Sequence, residues 1–204
     1  MPFLRSTATQ LISAHNDLRE RLSAVEFFGP RYQKYRERSC AGHFSLGYSA
    51  AIAPSEVEFE EPDPQNEVDF WLVTPSGRHA FQITERQEPS RRRGQEYKSG
   101  SVSQPTEESL HAAAEHGTTR IAEAVIKKER AYAGLTKSLN LLVYINFPAY
   151  ELRFEEVKLG IQQVHSNFAS IWLLTGDSMA CPQSNPSLGA LDGWYTTPAR
   201  AGEA

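Results

Sequence analysis

Cysteine is scarce in this chain: Cys40 and Cys181 are the only two in 204 residues and lie far apart. A disulfide framework is therefore excluded as the basis of the fold, and both thiols are expected to be reduced and structural. No stretch approaches the ~20 consecutive apolar residues needed to cross a bilayer. The amino-terminal segment MPFLRSTATQLISAHN lacks the long apolar core of a signal peptide. These absences together predict a cytoplasmic protein with no membrane partner. An excess of one charge is missing too, since 21 basic residues face 25 acidic ones for a formal net charge of -4. Net charge thus gives no support to nucleic-acid binding, although a local basic surface on a mildly acidic chain would still meet phosphate. Absent as well are a glycine-rich phosphate loop, a GxSxG elbow and a CxxC pair. P-loop hydrolysis, α/β-hydrolase chemistry and thioredoxin-like exchange lack their signatures.

What is present is organised around EVEFEEPDPQNEVDFWLVTPSGRHAFQITE, residues 56–85. Apolar residues alternate with polar ones, and Phe59, Phe70, Trp71, Val73, Phe81 and Ile83 suit a pleated surface. Three strands are expected, over 56–60, 67–74 and 78–85, with Pro-Ser-Gly turning the last two into a hairpin. Upstream, Leu11, Ile12, Leu18, Leu22 and Val25 form an apolar stripe that predicts a helix over 7–26, interrupted by Gly29-Pro30. Residues 32–38 suit a shorter helix. The small-residue stretch 40–54 fits either a tight connection or a short buried element. A helix is predicted over 107–133 after a Thr106 cap, a buried strand over 139–146, a helix over 154–168 and a second buried strand over 170–175. Hydrophobic strands alternating with helices argue an α/β fold, a mixed central sheet flanked by helices. Residues 1–181 are expected to form a single domain. From Pro182 onward, proline, glycine and serine predict an irregular tail covering the core or another subunit, which leaves a homodimer open.

On the hairpin, Asp69 lies near the start of one strand, and Gln82 and Thr84 share a face of the next. A carboxylate opposite an oxygen-bearing pair is the minimum geometry for holding a hard cation against a phosphate. VDF followed by QIT resembles the core of the PD-(D/E)xK nuclease superfamily, with Asp69 as the aspartate, Gln82 at the second acid and Thr84 where lysine stands. Gln82 offers a neutral carbonyl oxygen, and Thr84 cannot act as an electrostatic clamp. The resemblance implies a restriction-endonuclease-like core and Mg²⁺ or Mn²⁺ held weakly by Asp69, Gln82 and the Ile83 carbonyl. It also implies a glutamate from the leading helix, for which Glu26 is the candidate, and a migrated lysine, Lys127 or Lys128, from RIAEAVIKKERAY. Nucleic acid, DNA before RNA, would be the partner, gripped by Arg91, Arg92, Arg93 and Lys98 in the polar stretch after the hairpin.

Two functions follow as expectations: metal-dependent hydrolysis of phosphodiester bonds, or a nuclease-like scaffold that has lost catalysis and serves as a binding or regulatory module. An unrelated α/β domain with a fortuitous hairpin match stays open beside them. His43 has no second ligand at a recognisable spacing. His111, Glu115 and His116 lack the HExxH order and a third ligand, so surface positions account for them.

Overall fold

A computed structural model describes residues 3–60, 67–88 and 106–197. Its spine is a mixed sheet of eight strands in chain order. These are β1 (Phe3–Ser6), β2 (Glu56–Glu60), β3 (Phe70–Thr74), β4 (Gly77–Gln87), β5 (Asn140–Asn146), β6 (Ser170–Leu174), β7 (Ser178–Gln183) and β8 (Tyr195–Thr196). The described helices are α1 (Ala8–Arg21), α2 (Ala24–Phe27), α3 (Gln33–Ala51), α4 (Glu107–Ala131) and α5 (Phe154–Val164). The protein is of the α/β class, a mixed sheet flanked by helices. No described helix is long and apolar enough to cross a membrane.

Strand direction follows connection length. The expected hairpin forms with Phe70 opposite Phe81 and Thr74 opposite Gly77. Gly77 adopts φ +134, a backbone conformation that a side chain would strain. The connections from β4 to β5 and from β5 to β6 each contain a helix, and both pairs are parallel. β4 therefore joins the antiparallel half of the sheet to the parallel half.

Each sheet face buries its own core. On one face, Ile121, Val125, Val157 and Ile161 of α4 and α5 pack on Leu141, Val143, Ile171 and Leu173. On the other, Leu11, Phe44 and Tyr48 of α1 and α3 pack on Phe70, Leu72, Phe81, Leu142 and Trp172. Consecutive residues of β5 thus enter different cores, which explains why LNLLVYIN reads as a continuous apolar run and not an alternating one.

The second core is aromatic at its centre. The Phe44 ring lies 5.2 Å from Phe81, 5.3 Å from Trp172 and 6.4 Å from Phe70. Phe70 and Phe81, paired across the hairpin, stack at 4.9 Å.

The ambiguous stretch 40–54 is mostly helix, because α3 runs unbroken from Gln33 to Ala51. Its small residues serve close helix packing. A Cβ at Gly42 would come within 3.0 Å of Leu11 Cβ and 3.2 Å of the Ala8 carbonyl oxygen. The leading helix ends earlier than its stripe suggested. Ser23 begins a separate short helix by accepting the Glu26 N–H, while the Glu26 carboxylate returns to Ser23. Beyond Pro182, β7 continues to Gln183 and β8 pairs with it at Met179 and Ser178.

Candidate functional site

Alternation along β4 sends Phe81 into the aromatic core and turns Gln82 to the α4 face. Gln82 is 1% exposed, so both ends of its amide need partners. The Nε2 group donates to the Glu67 carbonyl, and Oε1 accepts from Lys128 Nζ at 3.0 Å. Lys128 reaches the strand because it occupies the inward side of the last turns of α4. Tyr132, one turn further on, places its ring 5.2 Å from the ammonium.

Asp69 closes the arrangement along the hairpin. Its backbone N–H donates to the Phe81 carbonyl at 2.8 Å, and its Oδ2 accepts from the Ile83 N–H at 2.6 Å. The carboxylate is thereby fixed just before the start of β3, on the segment that also carries Glu67. Asp69 acts on the Lys128 charge, as does Glu37 of α3. The cluster joins the hairpin, α4 and α3.

Burial pushes the Lys128 amine below its ordinary value by removing water from the charged form. The carboxylates of Asp69 and Glu37 pull the other way, and Lys127 adds to the lowering. Tyr132 is raised by burial and then by Asp69 and Glu67. Cys40 lies under the same region. Its thiol is driven up by burial and then by Glu85, Glu37 and Asp69, which leaves it protonated and unreactive.

The last turn of α4 is held from outside. Glu129 accepts from Thr136 Oγ1 at 3.3 Å, Ser166 Oγ at 2.9 Å, the Asn167 N–H at 3.2 Å and Asn167 Nδ2 at 2.8 Å.

Of the residues expected from sequence, Asp69, Gln82 and Lys128 come together. Thr84 sits two residues further along β4, opposite Val143. Ile83 contributes its N–H to Asp69. Lys127 is exposed on the neighbouring side of the helix. The Glu26 carboxyl is engaged with Ser23, whose hydroxyl and N–H hold its pKa below the usual carboxylate value. Arg91, Arg92, Arg93 and Lys98 lie outside the described residues. Glu37 and Tyr132 were not anticipated. The signal for Tyr132 was its place four residues after Lys128, which aligns the two on a helix.

No family model matches the chain, and no curated protein matches it. One solved structure does align along it. This is a Pseudomonas aeruginosa protein of unknown function described as belonging to the monooxygenase superfamily. It covers 95% of each chain at 15% sequence identity, with a TM-score of 0.46.

The nuclease expectation is corrected, and neither nucleic-acid hydrolysis nor a disabled nuclease scaffold is retained for this chain. The oxygens expected to hold a cation are taken up internally. The Gln82 oxygen assigned to a cation is occupied by the Lys128 ammonium, and one Asp69 oxygen by a backbone N–H. The described residues gather no group of three His, Cys, Asp or Glu side chains able to hold a metal ion.

Proposed function

We propose that the chain is an enzyme whose reaction turns on proton transfer at Lys128, acting on a small substrate where the hairpin meets α4. The observation that carries this reading is the opposed environment of one amine. Burial favours its neutral form, while Asp69 and Glu37 favour the ammonium. A base so balanced holds a free lone pair at lower pH than an exposed lysine, and still has a stabilised conjugate acid once it has taken a proton. Gln82 supports both states, because its oxygen accepts from either the amine or the ammonium and its own position is set by the Glu67 carbonyl. In the forward step Lys128 takes a proton from a substrate X–H group and becomes the ammonium beside Asp69. The same nitrogen returns the proton to the product.

The test is trace labelling of all six lysines with dinitrofluorobenzene across pH 6 to 11, read by peptide mass spectrometry. Lys128 is expected to titrate below Lys34, Lys137 and Lys158. Asp69→Asn should lower it further, since the Asp69 carboxylate raises the Lys128 pKa. Titration of Lys128 at the ordinary lysine value, ~10.4, in both proteins refutes the reading.

A further inference from the structure

A groove of about 420 Å³ is lined by Arg78, His79 and Ala80 of β4 and by Leu135, Lys137 and Leu139 before β5. Two hydrogen bonds link it to the surroundings of Lys128: Glu67 lines the groove and its carbonyl holds Gln82, while Leu135, also lining it, donates its N–H to the Tyr132 carbonyl at 2.9 Å. The volume falls in the range of small-molecule sites, roughly 300–1,000 Å³. Two large apolar side chains border it without being buried. Trp71 is only partly covered although it packs on a closed core, and Leu135 is 39% exposed. Val68 and Leu139 continue the apolar floor.

Charge along the groove is uneven. Arg78 and Lys137 both line it, and the Arg78 guanidinium lies over the Trp71 ring at 4.5 Å. The Arg78 Nε is held by Glu58 at 2.8 Å, which fixes the guanidinium in place against the indole. The acidic side chain of the lining, Glu67, belongs to the residue whose carbonyl holds Gln82, the partner of Lys128. An apolar body beside an indole, with two cations in the same lining, suits a flat anionic molecule.

We infer that this groove binds the body of the substrate, and that the substrate is an aromatic carboxylate or a similar aromatic monoanion, its ring against Trp71 and Leu135 and its charge at Arg78 and Lys137. The inference rests on the proton-transfer reading for its link to Lys128. Orientation follows from the charges: the anionic end stays with the two cations, and the opposite end of the molecule projects toward the amine.

The experiment is calorimetric titration of the whole chain with 2-naphthoate and with the neutral 2-naphthalenemethanol, on wild type and on the Arg78→Gln/Lys137→Gln variant, with circular dichroism to check folding. Naphthoate should bind at one site per chain, and the double substitution should weaken it about tenfold or more while leaving the alcohol unchanged. Saturating naphthoate should also slow dinitrofluorobenzene labelling of Lys128 at least threefold without slowing Lys158. The inference is overturned by the lack of saturable naphthoate binding, by equal affinity in the two proteins, or by binding that leaves Lys128 labelling unaltered. The ligand-free titration of Lys128 is measured separately, so failure of the groove and failure of the proton-transfer reading are distinguishable.

Discussion

Replacing Gln82 and Lys128 singly and together isolates the bond that defines the site. Gln82→Leu keeps the volume of a side chain that is 1% exposed but removes the acceptor for Lys128 and the donor to Glu67. Each polar group stranded without water costs ~1–3 kcal/mol, more where it is charged, so a loss of about 3 kcal/mol is expected. Lys128→Met strands the Gln82 oxygen but also removes a cation that burial disfavours, so its expected cost is about 1 kcal/mol. A hydrogen bond to a charged group contributes ~1.5–3 kcal/mol, which sets the expected coupling at about 2 kcal/mol and the double variant near ~2 kcal/mol. Urea denaturation of the four proteins at neutral pH supplies the comparison. The sign with pH is also fixed. The Lys128 pKa is lower folded than unfolded, so between the two values its own contribution to stability rises with pH, against the fall contributed by Cys40, Cys181, Tyr48 and Tyr132, whose pKa values are raised. Lys128→Met removes that rising contribution and leaves a steeper alkaline fall. Additivity within ~0.5 kcal/mol, with an alkaline profile the same in wild type and Lys128→Met, refutes the network.

Two further outcomes test the frame around the site. Phe44→Ala should cost ~3–5 kcal/mol in denaturant unfolding, since the ring is fully buried among Tyr48, Phe70, Phe81 and Trp172; a loss below ~1.5 kcal/mol contradicts the packing. His165, exposed at the end of α5, adopts φ 53. His165→Gly should raise the thermal midpoint through a gain of up to ~1 kcal/mol, and a lower midpoint contradicts the left-handed cap.

Much of the framework was legible because local pattern and tertiary role agreed. Alternation from Glu56 to Glu85 marked the meander, and the doubly buried run in β5 marked a strand covered on both sides. Where small residues replaced periodic large ones, as in α3, the pattern lost its period: Gly42 and Ala41 are there to admit another helix, and their shortness carries no helical signal of its own. β1, β7 and β8 were missed because each is short and defined by its neighbour. Arg5, for instance, is placed opposite Glu58 by pairing with β2.

The site divides the same way. Asp69, Gln82 and Lys128 were identifiable as polar groups at positions that fold inward, and they do meet. Their chemistry was misread. A two-residue motif specifies that an oxygen points into a cleft, but not whether an ammonium from a helix 46 positions away already occupies it. Glu37 could not be assigned, since its relation to Lys128 depends on how α3 lies against the hairpin.

The four bonds to Glu129 have a consequence for its neighbour in sequence. One ties the end of α4 to Thr136 and three rivet it to Ser166 and Asn167, on the far side of an intervening strand and helix, so the backbone beneath Lys128 has little room to twist or unwind. An incoming molecule therefore meets an amine whose bearing was decided when the chain folded. Losing that distant rivet would blur the aim of Lys128 while leaving every atom of its own pocket in the sequence.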